Sequence, residues 1–424
     1  MRACFLAAAL AASASALAAA GAGAPYLGHR VYRVPVTDAQ DGAHIRDVID
    51  RLGLEVWQPP TRKGSFADVQ VPPGRVEAFR EAMGHREVRT MHEDLGASIR
   101  KETAFEVYAA GSANATWFDS YHPYKDHVQW LRDLASRFPH NAGVVTSGRS
   151  GQGEPIMGLH VFGRAAGARQ KRPAVVFHGT VHAREWIASM VVEYITHQLL
   201  SKYGSDPKIT AFVDKYDFYM FPIVNVDGFK YTQTDDRLWR KNRQSNRGST
   251  CLGRDINRNW PYKWDVDDGA STDPCAEDFR GPRAGDAPET KALAKFLRGV
   301  KATQGLKLYI DWHSYSQLFM TPYGYSCTAK HPKANDLEAL AKGAADAIHA
   351  VHNVEFQYGP ICSTIYQCSG TSVDYVADVV RADYTFTSEL RDTGENGFVL
   401  PPEQILPSGE EAFAGVKYLL QHMK

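Results

Sequence analysis

His182-Ala183-Arg184-Glu185-Trp186 is the stretch whose reading decides the fold. It follows an apolar run, Pro173-Ala174-Val175-Val176-Phe177-His178-Gly179, and opens an apolar-periodic one from Ile187 to Leu200. That pattern predicts a strand, a turn and then a helix. His182 and Glu185 are three residues apart, so at a helix start they share one face. One imidazole nitrogen and one carboxylate oxygen there can meet a single ion at about 2.0–2.2 Å, the range for zinc. This spacing alone is more often a surface pair, so the rest of the chain has to supply the third ligand. The segment Leu306 to Ser316 alternates like a half-buried strand and carries His313 near its end. In an open α/β sheet, groups at the carboxyl ends of neighbouring strands lie where ligands bind. His182, Glu185 and His313 then form the three-ligand set of a catalytic zinc site, leaving the fourth position to water. Taken alone, His313 would read as a hydrogen-bonded core histidine.

Composition narrows the class. The 424 residues suffice for about two or three domains. Hydrophobic residues at 44% and charged residues at 23% are ordinary globular values. A formal net charge of 0 argues against nucleic acid or an anionic membrane as a partner. Low complexity is confined to the N-terminus, where residues 1–22 read as a secretory signal peptide. Arg2 supplies the positive start, Phe5-Leu6 begins an Ala/Leu-rich core, and Ala18-Ala19-Ala20 and Ala22-Gly23-Ala24 offer small-residue cleavage sites. Ser13, Ser15 and the Gly/Ala-rich end make poor membrane-spanning material. The mature chain is therefore expected to be secreted and extracellular. Of six cysteines, Cys4 leaves with the signal peptide. The odd remainder, in an oxidising compartment, leaves at least one thiol free or intermolecular.

Residues 29–92 form a unit of their own. His29–Val36, Leu54–Trp57, Phe66–Val71 and Glu87–Met91 read as strands, and Gly42–Leu52 and Arg75–Met83 as helices. The order β-α-β-β-α-β is ferredoxin-like. A polar, partly helical connector follows over 93–111, with Arg100-Lys101 as a basic pair open to a processing protease. Asn114-Ala115-Thr116 is a glycosylation sequon. From 112 onward strand and helix patterns alternate. Helices are expected at Lys125–Arg137, Trp186–Lys202, Pro288–Lys301, Lys333–His352 and Pro402–His422. Strands are expected at Ala174–His178, Asp217–Pro222, Lys307–His313 and Ala382–Leu390. This is the signature of one large doubly wound α/β domain.

Six motifs stand in a telling order: HAREW (182–186), RLWRKNR (237–243), GRDINRNW (253–260), HSYSQ (313–317), TIYQCSG (364–370) and ELRDTG (389–394). Together they resemble the zinc metallocarboxypeptidases of the carboxypeptidase A/B type, over nearly the whole chain after the signal peptide. The resemblance implies a mixed-sheet catalytic domain over 112–424, preceded by an activation propeptide with its connector over 23–111. It implies one zinc ion per catalytic domain, peptide and protein C-termini as substrates, and an activating endoprotease. No nucleic-acid or membrane partner is expected, and the protein is expected to be a monomer.

The same resemblance gives residue roles. Glu389 takes the water proton and returns one to the leaving amine. Arg240 stabilises the oxyanion. Asn257 and Arg258 grip the terminal carboxylate, for which only arginine offers a planar fork. Tyr366 closes over the substrate, and Asp255 orients His182. Arg184 contributes to an outer subsite, and Arg237 is a further substrate contact. Val373 is the pocket determinant, where basic-specific relatives carry an acid. Gly324, Ile361, Cys368 and Thr387 complete an apolar pocket suited to aromatic or aliphatic side chains. The disulfides implied are Cys251–Cys275 and Cys327–Cys362, leaving Cys368 as a buried thiol. An acyl-amide hydrolase with the same HxxE…H set would lack this full motif series. A non-catalytic binding protein on the fold would be expected to lose Glu389 or a ligand.

Overall fold

The computed structural model describes residues 23–164 and 172–424. The expected signal peptide, 1–22, lies outside the described residues. The chain divides into two compact units. The first holds the described residues up to Phe105 together with Gln233–Arg237 and Asp392–Pro401. The second holds Glu106–Thr232, Leu238–Arg391 and Pro402–Lys424.

The first unit is built on β1 (Arg30–Pro35), β2 (Glu55–Gln58), β3 (Phe66–Val71) and β4 (Arg89–His92). They form an antiparallel four-stranded sheet in the order β2-β3-β1-β4. Helices Ala39–Leu52 and Val76–Met83 complete the expected β-α-β-β-α-β order. The first helix begins where Asp38 accepts from the Asp41 amide, and it stops at Gly53, whose φ of 58° is cheap only for glycine. Tyr32 and Val34 point into a core shared with Ile45, Val48, Phe79 and Met83. Between them Arg33 points the other way and pairs with its register partner Asp68 on β3, through hydrogen bonds of 2.7 and 2.6 Å. The connector is helical over Leu95–Glu102, with Arg100 and Lys101 exposed in its last turn.

The second unit contains a mixed eight-stranded sheet, ordered β11-β10-β12-β9-β7-β8-β6-β5. Its middle is four parallel strands: β12 (Tyr384–Leu390), β9 (Leu306–Ser314), β7 (Ala174–Gly179) and β8 (Asp217–Phe221). Antiparallel pairing brings in β6 (Pro155–Val161) and β5 (Ala142–Arg149) on one side. On the other side β10 (Leu318–Thr321) pairs antiparallel with β12 and parallel with β11 (Gln357–Pro360). β9 departs from its expected half-exposed character. It is buried from Leu308 to Ser314 on both faces, because central parallel strands are covered above and below. Its polar residues are held by buried partners rather than by water. The last helix starts at Ile405, after a 3-10 turn over Pro402–Gln404.

Candidate active site

β7 ends at Gly179, and the chain turns through His182 and Glu185 into the helix Trp186–Ser201. A Cβ at Gly179 would lie 2.9 Å from the carbonyl oxygens of Ala188 and Pro222, so only glycine lets the turn sit this close to the helix. In the neighbouring strand, His313 sits one residue before the end of β9. Parallel register then places Glu389 of β12 directly beside His313, and Thr387 beside Asp311. Two strands and one helix start thus deliver four chemically active side chains to one end of the sheet.

His182, Glu185 and His313 each offer a ligand atom, all within 4.8 Å of one another, and all three are buried. His182 Nδ1 lies 2.7 Å from Glu185 Oε1 and 3.1 Å from His313 Nδ1, which is 3.0 Å from Glu185 Oε2. The far ring nitrogens are tied elsewhere: His182 Nε2 to Asp255 Oδ1 at 3.0 Å, and His313 Nε2 to Asp311 Oδ2 at 3.3 Å. Carboxylates behind both rings fix which nitrogen faces inward. Two inward imidazole nitrogens facing one carboxylate, with no other basic side chain in the triad, form the donor set that suits zinc. Burial opposes ionisation of Glu185, but His182 and His313 outweigh it and hold the carboxyl below its ordinary range. Asp255 is held low against burial by Arg240 and His182.

Around this triad lie the other residues singled out in the sequence. Arg240 donates to Asp255 Oδ2 at 2.7 Å and stands 3.9 Å from Glu185 Oε1. Asn257 Nδ2 is 3.3 Å from His313 Nε2, while its Oδ1 accepts the Ser372 amide at 2.9 Å. The asparagine thereby joins the histidine to the short helix Ser372–Tyr375 that carries Val373. Arg258 donates to the Asn257 carbonyl at 2.9 Å and reaches Tyr366 Oη at 3.4 Å. Arg258 Nε and Glu389 Oε2 are buried without a hydrogen-bond partner among the described residues. Burial raises the Glu389 carboxyl above its ordinary range, and nearby Glu185 adds to it. Arg184 donates to Glu277 Oε2 at 3.0 Å.

Val373 is fully buried. A Cβ at Gly324 would meet Cys368 Sγ at 2.8 Å and Ile361 Cγ2 at 3.3 Å, so these three residues pack together. Thr387 Oγ1 is held by the Asp311 carbonyl at 3.0 Å. The Asp374 carboxylate accepts the Gly324 and Tyr325 amides, each at 3.1 Å, and burial pushes its carboxyl up to about 7. Cys251 is bonded to Cys275 and Cys327 to Cys362, while Cys368 is a buried free thiol.

Arg237 is not gathered with the rest. It belongs to the first unit, where its Nε and Nη2 each donate to Glu102 at 2.7 Å and Nη2 also reaches the Phe398 carbonyl at 2.8 Å. Asp311 and Glu277 were not singled out in the sequence. Asp311 was findable: it lies two residues before His313, so strand alternation puts both on one face, and an acid inside an apolar strand calls for a partner. Glu277 left no comparable signal, because it sits in an irregular acidic loop.

A buried two-histidine, one-glutamate triad at the carboxyl end of a mixed α/β sheet, beside a glutamate with a buried carboxylate oxygen and two arginines, defines a metallohydrolase. Residues 127–415 match the zinc carboxypeptidase family, and residues 32–102 match the carboxypeptidase activation peptide. The chain belongs to the zinc carboxypeptidases, and zinc is its cofactor. It is 49% identical over 433 residues to the metallocarboxypeptidase A-like protein of Trichophyton verrucosum (strain HKI 0517), covering 100% of each. It is 47% identical over 397 residues to metallocarboxypeptidase A of Trichophyton rubrum, covering 93% of each. The solved structure of thrombin activatable fibrinolysis inhibitor resembles it with a TM-score of 0.86 at 29% identity, over 93% of this chain and 99% of that one.

Proposed function

We propose that the chain is a secreted zymogen whose processed form, residues 112–424, removes hydrophobic and aromatic residues from peptide C-termini. The observation that carries this reading is that two buried atoms beside the triad, Arg258 Nε and Glu389 Oε2, are among those left without a hydrogen-bond partner among the described residues. Buried polar atoms are nearly always hydrogen-bonded, so each exception calls for an explanation, and a ligand or a reacting proton is one. A terminal carboxylate would complete Arg258, and a water or amine proton would complete Glu389.

His182, Glu185 and His313 would hold the zinc, which when bound would supply an acidified water and polarise the carbonyl. The chain's own residues do the rest. Glu389 accepts the water proton and passes one to the departing amine, a role for which a raised carboxyl pKa is suited. Arg240, fixed by Asp255, offers positive charge to the oxygen where negative charge develops. Arg258 and Asn257 hold the terminal carboxylate, which restricts cleavage to the last peptide bond. Tyr366, beside Arg258, covers the bound residue. Val373, with Gly324, Ile361, Cys368 and Thr387, presents an apolar pocket, and Arg184 serves an outer subsite.

Residues 23–111 act as the propeptide with its connector, and the exposed Arg100-Lys101 pair is an accessible processing point. Secretion is supported by the N-terminal sequence. No described helix is long and apolar enough to cross a membrane. The test is hydrolysis of blocked dipeptides that differ only in their last residue, before and after limited proteolysis. Activity should rise on cutting and favour Phe, Tyr, Trp, Leu and Met over Lys and Arg. Equal activity of cut and uncut protein, or efficient release of Lys or Arg, would overturn the respective part.

A further inference from the structure

In a chain of net charge 0, one concave face of the second unit collects cations. A cavity of about 740 Å³ is lined by Arg247, Arg254, Arg283 and Lys291, with Asp286 as its one acid among the described lining residues. A second cavity, of about 300 Å³, shares Lys291 and adds Lys295 and Arg298, with no acid among its described lining residues. Asp286 is already engaged, accepting from Arg254 Nη2 at 3.0 Å and Asn259 Nδ2 at 2.9 Å. Arg247, Arg283, Lys291, Lys295 and Arg298 are all solvent-exposed.

The helix Pro288–Gln304 sets the spacing of three of them. Lys291, Lys295 and Arg298 follow one another by four and three residues, so they line one helix face over about 10 Å. Like charges at this spacing destabilise a helix, and an ordinary exposed face would intersperse acids. None is interposed here. The lysine group Lys202, Lys208 and Lys417 differs, because Asp206 stands among it.

We propose that this face binds an anionic polysaccharide bearing sulfate esters. A row of cations around a groove fits a ligand with repeated charge. The described residues lining both cavities include no aromatic side chain, which a single-stranded nucleic acid would need for base stacking. The face is built from residues outside the peptidase machinery, so the proposal stands apart from the reading of the active site.

The test uses the full chain with heparin as the probe, and fully desulfated heparin and a 20-base oligothymidine as comparisons. Binding is followed by titration across a salt series. The unmodified protein should bind heparin with a steep salt dependence and should bind desulfated heparin much more weakly. The Lys291→Gln/Lys295→Gln/Arg298→Gln variant should lose affinity about tenfold or more, and its log–log salt slope should fall by roughly one per lost contact. Lys202→Gln/Lys208→Gln should leave binding unchanged. Unaltered cleavage of a dipeptide by the triple variant, after proteolytic processing, shows that it is folded. If the triple variant loses that cleavage, the single variants Lys291→Gln and Lys295→Gln carry the test, each lowering affinity and slope. Equal heparin binding by folded variant and unmodified protein overturns the proposal, as does absence of binding. Tighter binding of oligothymidine than of heparin overturns the polysaccharide assignment.

Discussion

Two buried arginines behave in opposite ways in the two units. Arg237 in the first unit has one edge of its guanidinium, Nε and Nη2, paired with both oxygens of the Glu102 carboxylate at 2.7 Å. Arg258 in the second donates to a neighbouring carbonyl and, at 3.4 Å, to a tyrosine, and keeps its Nε unpartnered among the described residues. Arg33 with Asp68 repeats the first pattern, and Glu389 with its unpartnered Oε2 repeats the second. Burial of charge is thus common to both units and marks neither. What separates structure from chemistry is whether the charge is closed by its own chain.

Metal removal is the most severe way to break the contrast. Stripping zinc with a chelator should abolish peptidase activity, and added zinc should restore it; full activity in verified metal-free protein would remove the triad from the chemistry. Glu389→Gln should come next, losing about 10²–10⁴ in turnover while retaining zinc by metal analysis. Near-normal turnover in the zinc-loaded variant would show that the open carboxylate is not the base.

The closed side of the comparison predicts a stability effect instead. Glu102→Gln leaves Arg237 buried without its counter-charge and should destabilise the uncut protein by about 3–5 kcal/mol, read as a fall in the chemical-denaturation midpoint. Replacing both partners, as in Glu102→Leu with Arg237→Met, should recover most of that loss. A double variant no better than the single one would show that the pair is not the relevant unit.

On the open side, Arg258→Ala should leave stability nearly unchanged but lower kcat/KM for free-acid substrates by about 10²-fold or more. It should also erase most of the preference for a free terminal carboxylate over its amide. If acid and amide remain as far apart as before, another group grips the carboxylate. The smallest shift is expected from selectivity. The unmodified enzyme should prefer Phe or Leu to Lys by about 100-fold, since an unpaired cation in an apolar pocket costs several kcal/mol. Val373→Asp should narrow that gap without fully reversing it, because Ile361 and Cys368 remain apolar. An unchanged ratio would show that Val373 does not face the side chain.

Much of this was legible before any coordinates. The first helix, expected over Gly42–Leu52, runs from Ala39 to Leu52 and begins three residues earlier, where Asp38 caps it. β7 and β8 announced themselves as short apolar runs. Four strands of the large sheet escaped reading, and among them β6 is long enough but broken in pattern by Gly158 and His160. β5 carries glycines and polar residues on an edge, and β10 and β11 are only four residues each, too short for a period to show. β9 was found but misjudged as half-exposed, because alternation records polarity and not whether a polar residue is buried with a partner.

The sequence by itself determined the identities that chemistry requires: the HxxE pair at a helix start, His313 at a strand end, the ordered motifs, and an apolar residue at position 373. Spacing of two residues puts Asp311 and His313 on one strand face, but His182 and Glu185 lie in the turn ahead of the helix Trp186–Ser201, so the turn and not a helical face brings that pair together. Tertiary structure alone decided which charges were closed and which stayed open. Pairing Glu389 with His313 needed the register of two parallel strands far apart in sequence. Pairing Arg237 with Glu102 brought together residues separated by 135 positions. Such choices are made by packing and sheet register, which no short window of sequence encodes, because an arginine's partner is chosen by whatever acid the fold buries beside it.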